Sequence, residues 1–219
     1  GRLFALYNSR RGAWIMAEGD TDVSICSQAL LLLGANQITS FSDGTAPSSI
    51  CSVLYPRIKS QTLGLYHWSF SLSKTVLSKL AVTPTNFYTY AYQLPTDMFL
   101  GVPRVVYTST STSAPNTTEY EIQGNQLLTN QSTIVVDYQR LVSEQEMPSY
   151  FIQLLIYQMT WHLAEPVTDQ ITKADYWKNV ALGTPTENNR GGYFRQAINI
   201  DGSGQSKTVI ADYLLTEVR

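Results

Sequence analysis

Between about Phe70 and Tyr138 the apolar residues of this 219-residue chain recur at a period of two, while on both sides they recur at helical spacing. A strand region enclosed by helical segments is an α-β-α layout and implies an α+β fold in which the helices of the two chain ends pack together. The expected architecture is a four-helix bundle from the two ends of the chain, with an inserted central antiparallel β-sheet and an extended C-terminal tail.

The helical segments carry their own punctuation. The first spans about Asp22 to Leu33, with Thr21 or Asp20 as its cap and Gly34 just past its end. The second begins near Pro47, which suits a first helical turn, and ends around Tyr66-His67-Trp68. Pro56 falls inside it and cannot donate to the Ser52 carbonyl, so a kink is expected there. A third helix follows Met147-Pro148 and runs to Glu165, where Pro166 is expected to stop it. Phe151, Leu155, Tyr157, Met159 and Trp161 lie all around its axis, so it must be covered on most sides, by other elements and by neighbouring subunits. The fourth starts near Thr172, is interrupted from Gly183 to Gly192, and resumes from Tyr193 to Ile198.

Within the middle region, strands are expected around Ser71–Leu77, Phe87–Leu94, Val102–Tyr107 and Thr133–Gln139. Tyr120–Ile122 and Gln126–Leu128 flank Gly124-Asn125, a hairpin turn. Thr108 to Thr118 reads as a loop. The domain boundaries follow: 1–15 an upstream extension, 16–70 the first helices, 71–142 the β region, 143–200 the last helices, and 201–219 a flexible docking tail that starts with Asp201-Gly-Ser-Gly.

Charge narrows the function classes. Only 15% of residues are charged, against about 25% in an ordinary soluble protein. A surface so short of charge is covered by Ser, Thr, Asn, Gln and Tyr, or by other subunits, and 14 tyrosines suit the second option. The net charge is −2 with no basic patch, which argues against tight electrostatic binding of nucleic acid. Such a surface can still surround DNA without gripping it. Transmembrane helices need about 18 apolar residues in a row, and no run reaches that length.

Chemistry-bearing residues are sparse. Cys26 and Cys51 sit among apolar residues without a C-x-x-C partner and read as buried free thiols. His67 and His162 lack metal-ligand spacing and read as packing residues. No nucleophile elbow or phosphate loop occurs. Glu119, Glu121, Asp137, Glu144 and Glu146 lie in or beside the strand region; two of them facing each other could hydrolyse a glycoside, but they read as surface acids. Tyr88, Tyr90 and Tyr92 alternate, as a sugar-binding face would, or as a sheet packed on helices would. Asn188-Asn-Arg-Gly-Gly could cradle an anion or simply turn between helices. The apolar cluster Ile210, Tyr213, Leu214 and Leu215 could pack on its own domain or on a partner. No catalytic residue, cofactor or metal site is expected.

The order of several short motifs resembles the tail tubular protein A family, the head-to-tail adaptors of short-tailed bacteriophages. These are Ala29-Leu-Leu-Leu-Leu-Gly34, His67-Trp-Ser-Phe70, Tyr90-Ala-Tyr-Gln-Leu-Pro-Thr-Asp97 and the hairpin Tyr120–Leu128. They continue with Val135-Val-Asp-Tyr138, Met147-Pro148, Trp161-His-Leu-Ala-Glu165 and the ending Tyr213-Leu-Leu-Thr-Glu-Val-Arg219. The interruption at Gly183 to Gly192 departs from the family's longer charged helix. The resemblance implies a structural virion protein located in the phage neck and assembled in the host cytoplasm. Twelve copies would form a ring between the portal protein and the tail nozzle, tubular protein B, and tail fibres would be further partners. Genomic DNA would pass through the ring without specific binding, and no membrane would be involved. The residues expected at the portal or neighbouring-subunit interface are Tyr213, Leu214, Leu215 and Arg219, with Tyr157 and Trp161 at the bundle or subunit boundary. The rival readings are a tail-associated glycan or peptidoglycan hydrolase and a carbohydrate-binding tail module.

Overall fold

A computed structural model describes residues 20–204 of the chain. Within them lie five α-helices and two small antiparallel sheets of three strands each, so the fold is mixed helix and sheet. The helices α1 (Asp22–Leu32) and α2 (Ala46–Gly64) precede the strands, and α3 (Ser149–Thr168), α4 (Ile171–Leu182) and α5 (Gly192–Ser203) follow them.

Local chemistry sets the helix starts. The Thr21 hydroxyl accepts the Ser24 N–H at 3.1 Å, which satisfies one of the free donors of α1. Thr45 caps α2 in the same way at 3.3 Å. Thr45 is itself held by Asp43, whose carboxyl is lowered to about 2 by hydrogen bonds from the Thr45 hydroxyl and backbone. Pro56 lies inside α2 with its ring on the exposed side.

Two helix ends differ from expectation. Pro166 does not stop α3, which continues to Thr168 and ends where Asp169 adopts a left-handed φ of 55°. One backbone donor is lost at the proline, but the Asp169 N–H still reaches the Glu165 carbonyl at 2.9 Å, and Thr168 hydrogen-bonds the Ala164 carbonyl. Asp201, Gly202 and Ser203 do not begin a linker: they complete α5, and Asp201 is buried.

The middle region holds β1 (Leu72–Val76), β2 (Tyr90–Gln93), β3 (Val105–Tyr107), β4 (Tyr120–Gln123), β5 (Gln126–Thr129) and β6 (Val135–Gln139). One sheet has the order β1-β6-β3, the other β2-β5-β4. The β4–β5 hairpin closes through Gly124-Asn125, with Gly124 at φ 60°. Phe87 and Tyr88, expected in a strand, precede β2; Phe87 has φ 60°, a left-handed conformation that takes it out of any ladder.

Two separate cores result. The helical core contains Ile25, Leu30, Ile58, Trp68, Phe151, Leu154, Leu155, Met159 and Phe194. The sheet core is smaller and is shared by both sheets: Tyr92 and Leu127 from one, Val106, Val136 and Tyr138 from the other. α3 is the centre of the helical part and packs against α1, α2, α4 and α5. Its all-round apolar surface is therefore covered inside the chain, without a neighbouring subunit.

The two parts are bolted together by few groups. The buried Gln139 side chain donates to the Leu63 carbonyl at 2.9 Å and the Tyr66 carbonyl at 3.0 Å, so strand β6 caps the C-terminal end of α2. Phe99 lies against Gly64, where a Cβ would sit only 3.3 Å from the ring.

Candidate interaction surfaces

The densest polar joint is built on Trp68-Ser69-Phe70. Trp68 is fully buried, donates from Nε1 to the Thr62 carbonyl at 3.2 Å, and meets Phe151 and Phe194 edge-on with centroids 5.2 and 6.1 Å away. Next to it, Asp201 of α5 accepts the Ser69 N–H at 3.0 Å, the Ser69 hydroxyl at 2.6 Å and the Tyr150 hydroxyl at 2.5 Å. Burial, and then the Asp201 carboxylate, push the Tyr150 phenol well above its ordinary value, so it stays a donor. Three elements distant in sequence are thus tied at one carboxylate. The sequence signal for it is the spacing Phe194, Ala197, Asp201, which places Asp201 on the buried stripe of α5.

The acids of the strand region take separate roles. Glu144 accepts from Lys59 at 2.7 Å and Tyr55 at 2.9 Å, tying the segment before α3 to α2. Burial acts to raise its pKa, but these hydrogen bonds outweigh it and leave it below the ordinary carboxylate range. Glu146 is likewise lowered, first by its bidentate pairing with Arg140. Asp137 faces Arg104 at 3.5 Å and Lys74 at 3.9 Å. Glu119 and Glu121 remain exposed at and beside β4. The two acids with resolved shifts are held ionised, the opposite of what a general acid needs.

The tyrosines do not form one exposed face. Tyr92 is buried in the sheet core with its hydroxyl on the Gln131 carbonyl at 2.8 Å, and Tyr90 packs beside it under Lys79, 3.6 Å from the ring centre. Tyr88 turns to the other side, into an open groove of about 300 Å³ on the outer face of the β2-β5-β4 sheet. Asn86, Glu121, Gln123 and Gln126 line the same groove.

The remaining expected residues fall as follows. Cys26 and Cys51 are buried free thiols. His67 is exposed and lies beyond the end of α2, against the expectation of a packing role. His162 is half-buried against the Trp161 ring, its Nδ1 2.7 Å from the Gln158 carbonyl, and burial lowers its pKa. Tyr157 stacks on Trp177 and meets Tyr193 edge-on, so it sits at the boundary of α3 with α4 and α5. Trp161 bonds Gln158 at 2.6 Å and lies under Lys178. Tyr213, Leu214, Leu215 and Arg219 lie outside the described residues. The Asn188–Gly192 segment is a compact turn: Asn188 and Asn189 adopt left-handed φ values of 53° and 56°, and Glu187 places its own carboxylate against Gly183 and Gly191. Any cradle for an anion there is already filled by the chain itself.

The most exposed large apolar side chains lie on the β region, Phe87 at 86%, Val82 at 77% and Leu100 at 75%, while Val53, Ile171 and Tyr176 are exposed on the helices. Leu100 is also held at φ 62°, so the turn that displays it carries backbone strain. None of the described helices is long and apolar enough to cross a membrane. No protein-family model matches the chain, and no curated protein matches it.

Proposed function

We propose that this chain is a structural virion protein, the head-to-tail adaptor of a short-tailed bacteriophage. Twelve copies form a ring between portal and tail nozzle and extend the channel through which DNA passes. The reading starts from the ordered motifs of the sequence. One observation carries it further: motif segments distant in sequence pack on one another. The Tyr138 hydroxyl donates to Asp97 at 3.1 Å, joining the Val-Val-Asp-Tyr segment to the Leu-Pro-Thr-Asp segment. Trp68 of the Trp-Ser-Phe segment packs on Phe151, in the helix that Met147-Pro148 opens. In this reading the helices of both chain ends are one bundle of four segments, with α4 and α5 the two halves of the last. Residues 205–219 are its docking tail for the portal or a neighbour.

Low charge and exposed apolar side chains on the β region suit a subunit with permanent neighbours. The test is to mix the chain with purified cognate portal rings and weigh the product by native mass spectrometry. Twelve added copies per portal ring are expected. No association with a well-formed portal would overturn the reading.

The polar groove at Tyr88 favours a second reading, a carbohydrate-binding tail module, because amides, a carboxylate and one aromatic ring suit a neutral sugar. Glycan-array binding abolished by Tyr88→Ala would establish it. Loss of a cell-wall-degrading activity on Glu121→Gln would instead establish the hydrolase.

A further inference from the structure

Each three-stranded sheet has two outer strands, and in each sheet one of them is already covered. The outer side of β3 is taken by the loop that follows it: the Thr117 N–H donates to the Val106 carbonyl at 2.9 Å and Thr108 to Pro115 at 3.1 Å. The outer side of β2 is taken by the segment after β1, with Gln93 donating to Ser78 at 3.0 Å and Leu80 to Ala91 at 2.8 Å. Among the described residues, nothing covers the outer sides of β1 and β4. Uncovered strand edges are templates for pairing with another chain.

The register fixes which groups are free. Arg140 donates to the Ser71 carbonyl at 2.8 Å and Leu77 to the Ile134 carbonyl at 2.9 Å. By the alternation of an antiparallel ladder, Ser73 and Thr75 face β6, while Lys74 and Val76 turn their N–H and C=O groups outward. In β4 the closing pair Gln123–Gln126 sets Glu121 and Gln123 toward β5 and turns Tyr120 and Ile122 outward.

The two edges differ in charge. On β1, Lys74 (side chain 62% exposed) lies 3.9 Å from the Asp137 carboxylate of β6, which Arg104, next to β3, also approaches at 3.5 Å, so Lys74 shares that carboxylate and is only partly neutralised. At β4, Glu119 and Glu121 are exposed and neither is in a salt bridge among the described residues. Pairing β4 with a second β4 in antiparallel register through Tyr120 and Ile122 would set Glu121 opposite Glu121, which is destabilising. Antiparallel pairing of β1 with a second β1 centred on Lys74 would set Lys74 opposite Lys74, which is destabilising.

We propose that β1 of one copy of this chain adds, in parallel, to β4 of a second copy, with Lys74 opposite Glu121. In that register the Lys74 N–H donates to the Tyr120 carbonyl, the Ile122 N–H donates to the Lys74 carbonyl, and the Val76 N–H donates to the Ile122 carbonyl. All the free groups named above then find partners except two at the ends, and Lys74 meets Glu121 on one face. Val76 falls opposite Gln123. Two different patches meet, so the contact is heterologous and repeats into a ring if its rotation closes. This inference rests on the strand edges alone and stands whether or not the ring binds a portal.

Cross-linking tests it with the Lys74–Glu121 pair left intact. A full-length Val76→Cys chain is mixed with a Gln123→Cys chain under mild oxidation by oxidised glutathione. The expected result is a disulfide-linked dimer at about tenfold the yield from either variant alone, since opposed residues lie within disulfide reach. Adding Glu121→Lys to the Gln123→Cys chain is expected to abolish the excess, and Lys74→Glu in the other chain to restore it. Equal yields from the single variants, no cross-linking in the mixture, or indifference to charge reversal would each overturn the proposal. A second readout needs no substitution: amide hydrogen exchange at Lys74, Val76 and Ile122 slows as the concentration of the unmodified chain rises. Exchange independent of concentration at these three amides contradicts the contact.

Discussion

The helical part and the β region solve the same problem in different ways. Around α3 every apolar face finds a partner within the chain, so Leu154, Leu155 and Met159 are fully buried without help from outside. The β region has only nine buried apolar residues in its core, leaves two strand edges open, and displays Phe87, Val82 and Leu100 to solvent. An apolar helix is thus a poor sign of a subunit interface in a chain that can surround it. What sets the β region apart is its open strand edges and its most exposed side chains, Phe87, Val82 and Leu100. In the proposed assembly the helical part is the anchor and the β region the contact surface.

Substitutions can break or sharpen that contrast. The largest effect is expected from Trp68→Ala, which empties the space between Phe151 and Phe194 and frees the Thr62 carbonyl. A loss of about 3–5 kcal/mol in denaturant unfolding is expected. In the sheet core, Leu127→Ala should cost about 2–4 kcal/mol and should leave the near-ultraviolet signal of the buried Trp68 cluster in place longer than that of the β-region tyrosines. Coincident loss of both signals would show that the two cores unfold as one. Asp201→Ala strips three donors of their acceptor and should cost about 1–3 kcal/mol, with Asp201→Asn milder because one acceptor oxygen survives.

Acid gives a smaller effect, and His162 is one identifiable source of it. Burial holds the His162 pKa below its ordinary value near 6.5. A group with a depressed folded pKa contributes stability that is present above the unfolded value and is lost as pH falls through the folded one. Melting temperature should therefore drop below about pH 6.5 in the natural chain and less so in His162→Gln. An identical acid response in both would remove His162 from the account. The smallest effect on the isolated chain is expected from Phe87→Ser, within about 0.5 kcal/mol because the ring is 86% exposed. In an assembly that uses the β region, the same change should weaken association.

Much of the helical framework was legible in the sequence. Thr21 and Gly34 bracket α1 as caps do, and Gly124-Asn125 turns the β4–β5 hairpin as its composition requires. The failures have physical reasons. Pro166 removes one donor near the end of a helix whose last turn is still held by Thr168 and Asp169, so the helix outlasts it. Asp201 reads as the start of a linker because Gly and Ser follow it; its spacing from Phe194 and Ala197 marks it as buried, but the donors on Ser69 and Tyr150 that its carboxylate answers are distant in sequence. Tyr88 left the face of Tyr90 and Tyr92 because Phe87 takes a left-handed φ that no aromatic residue advertises. The pairing of Lys74 and Arg104 on Asp137 depends on strand order, which alternation alone does not give.

Cryo-electron microscopy of the chain mixed with portal rings tests the proposed assembly most directly. The expected result is a twelve-fold ring in which neighbouring copies meet through the β region, with α3 enclosed inside each copy by its own helices. A ring whose subunits meet along α3, with the edges of β1 and β4 left facing solvent, would contradict it.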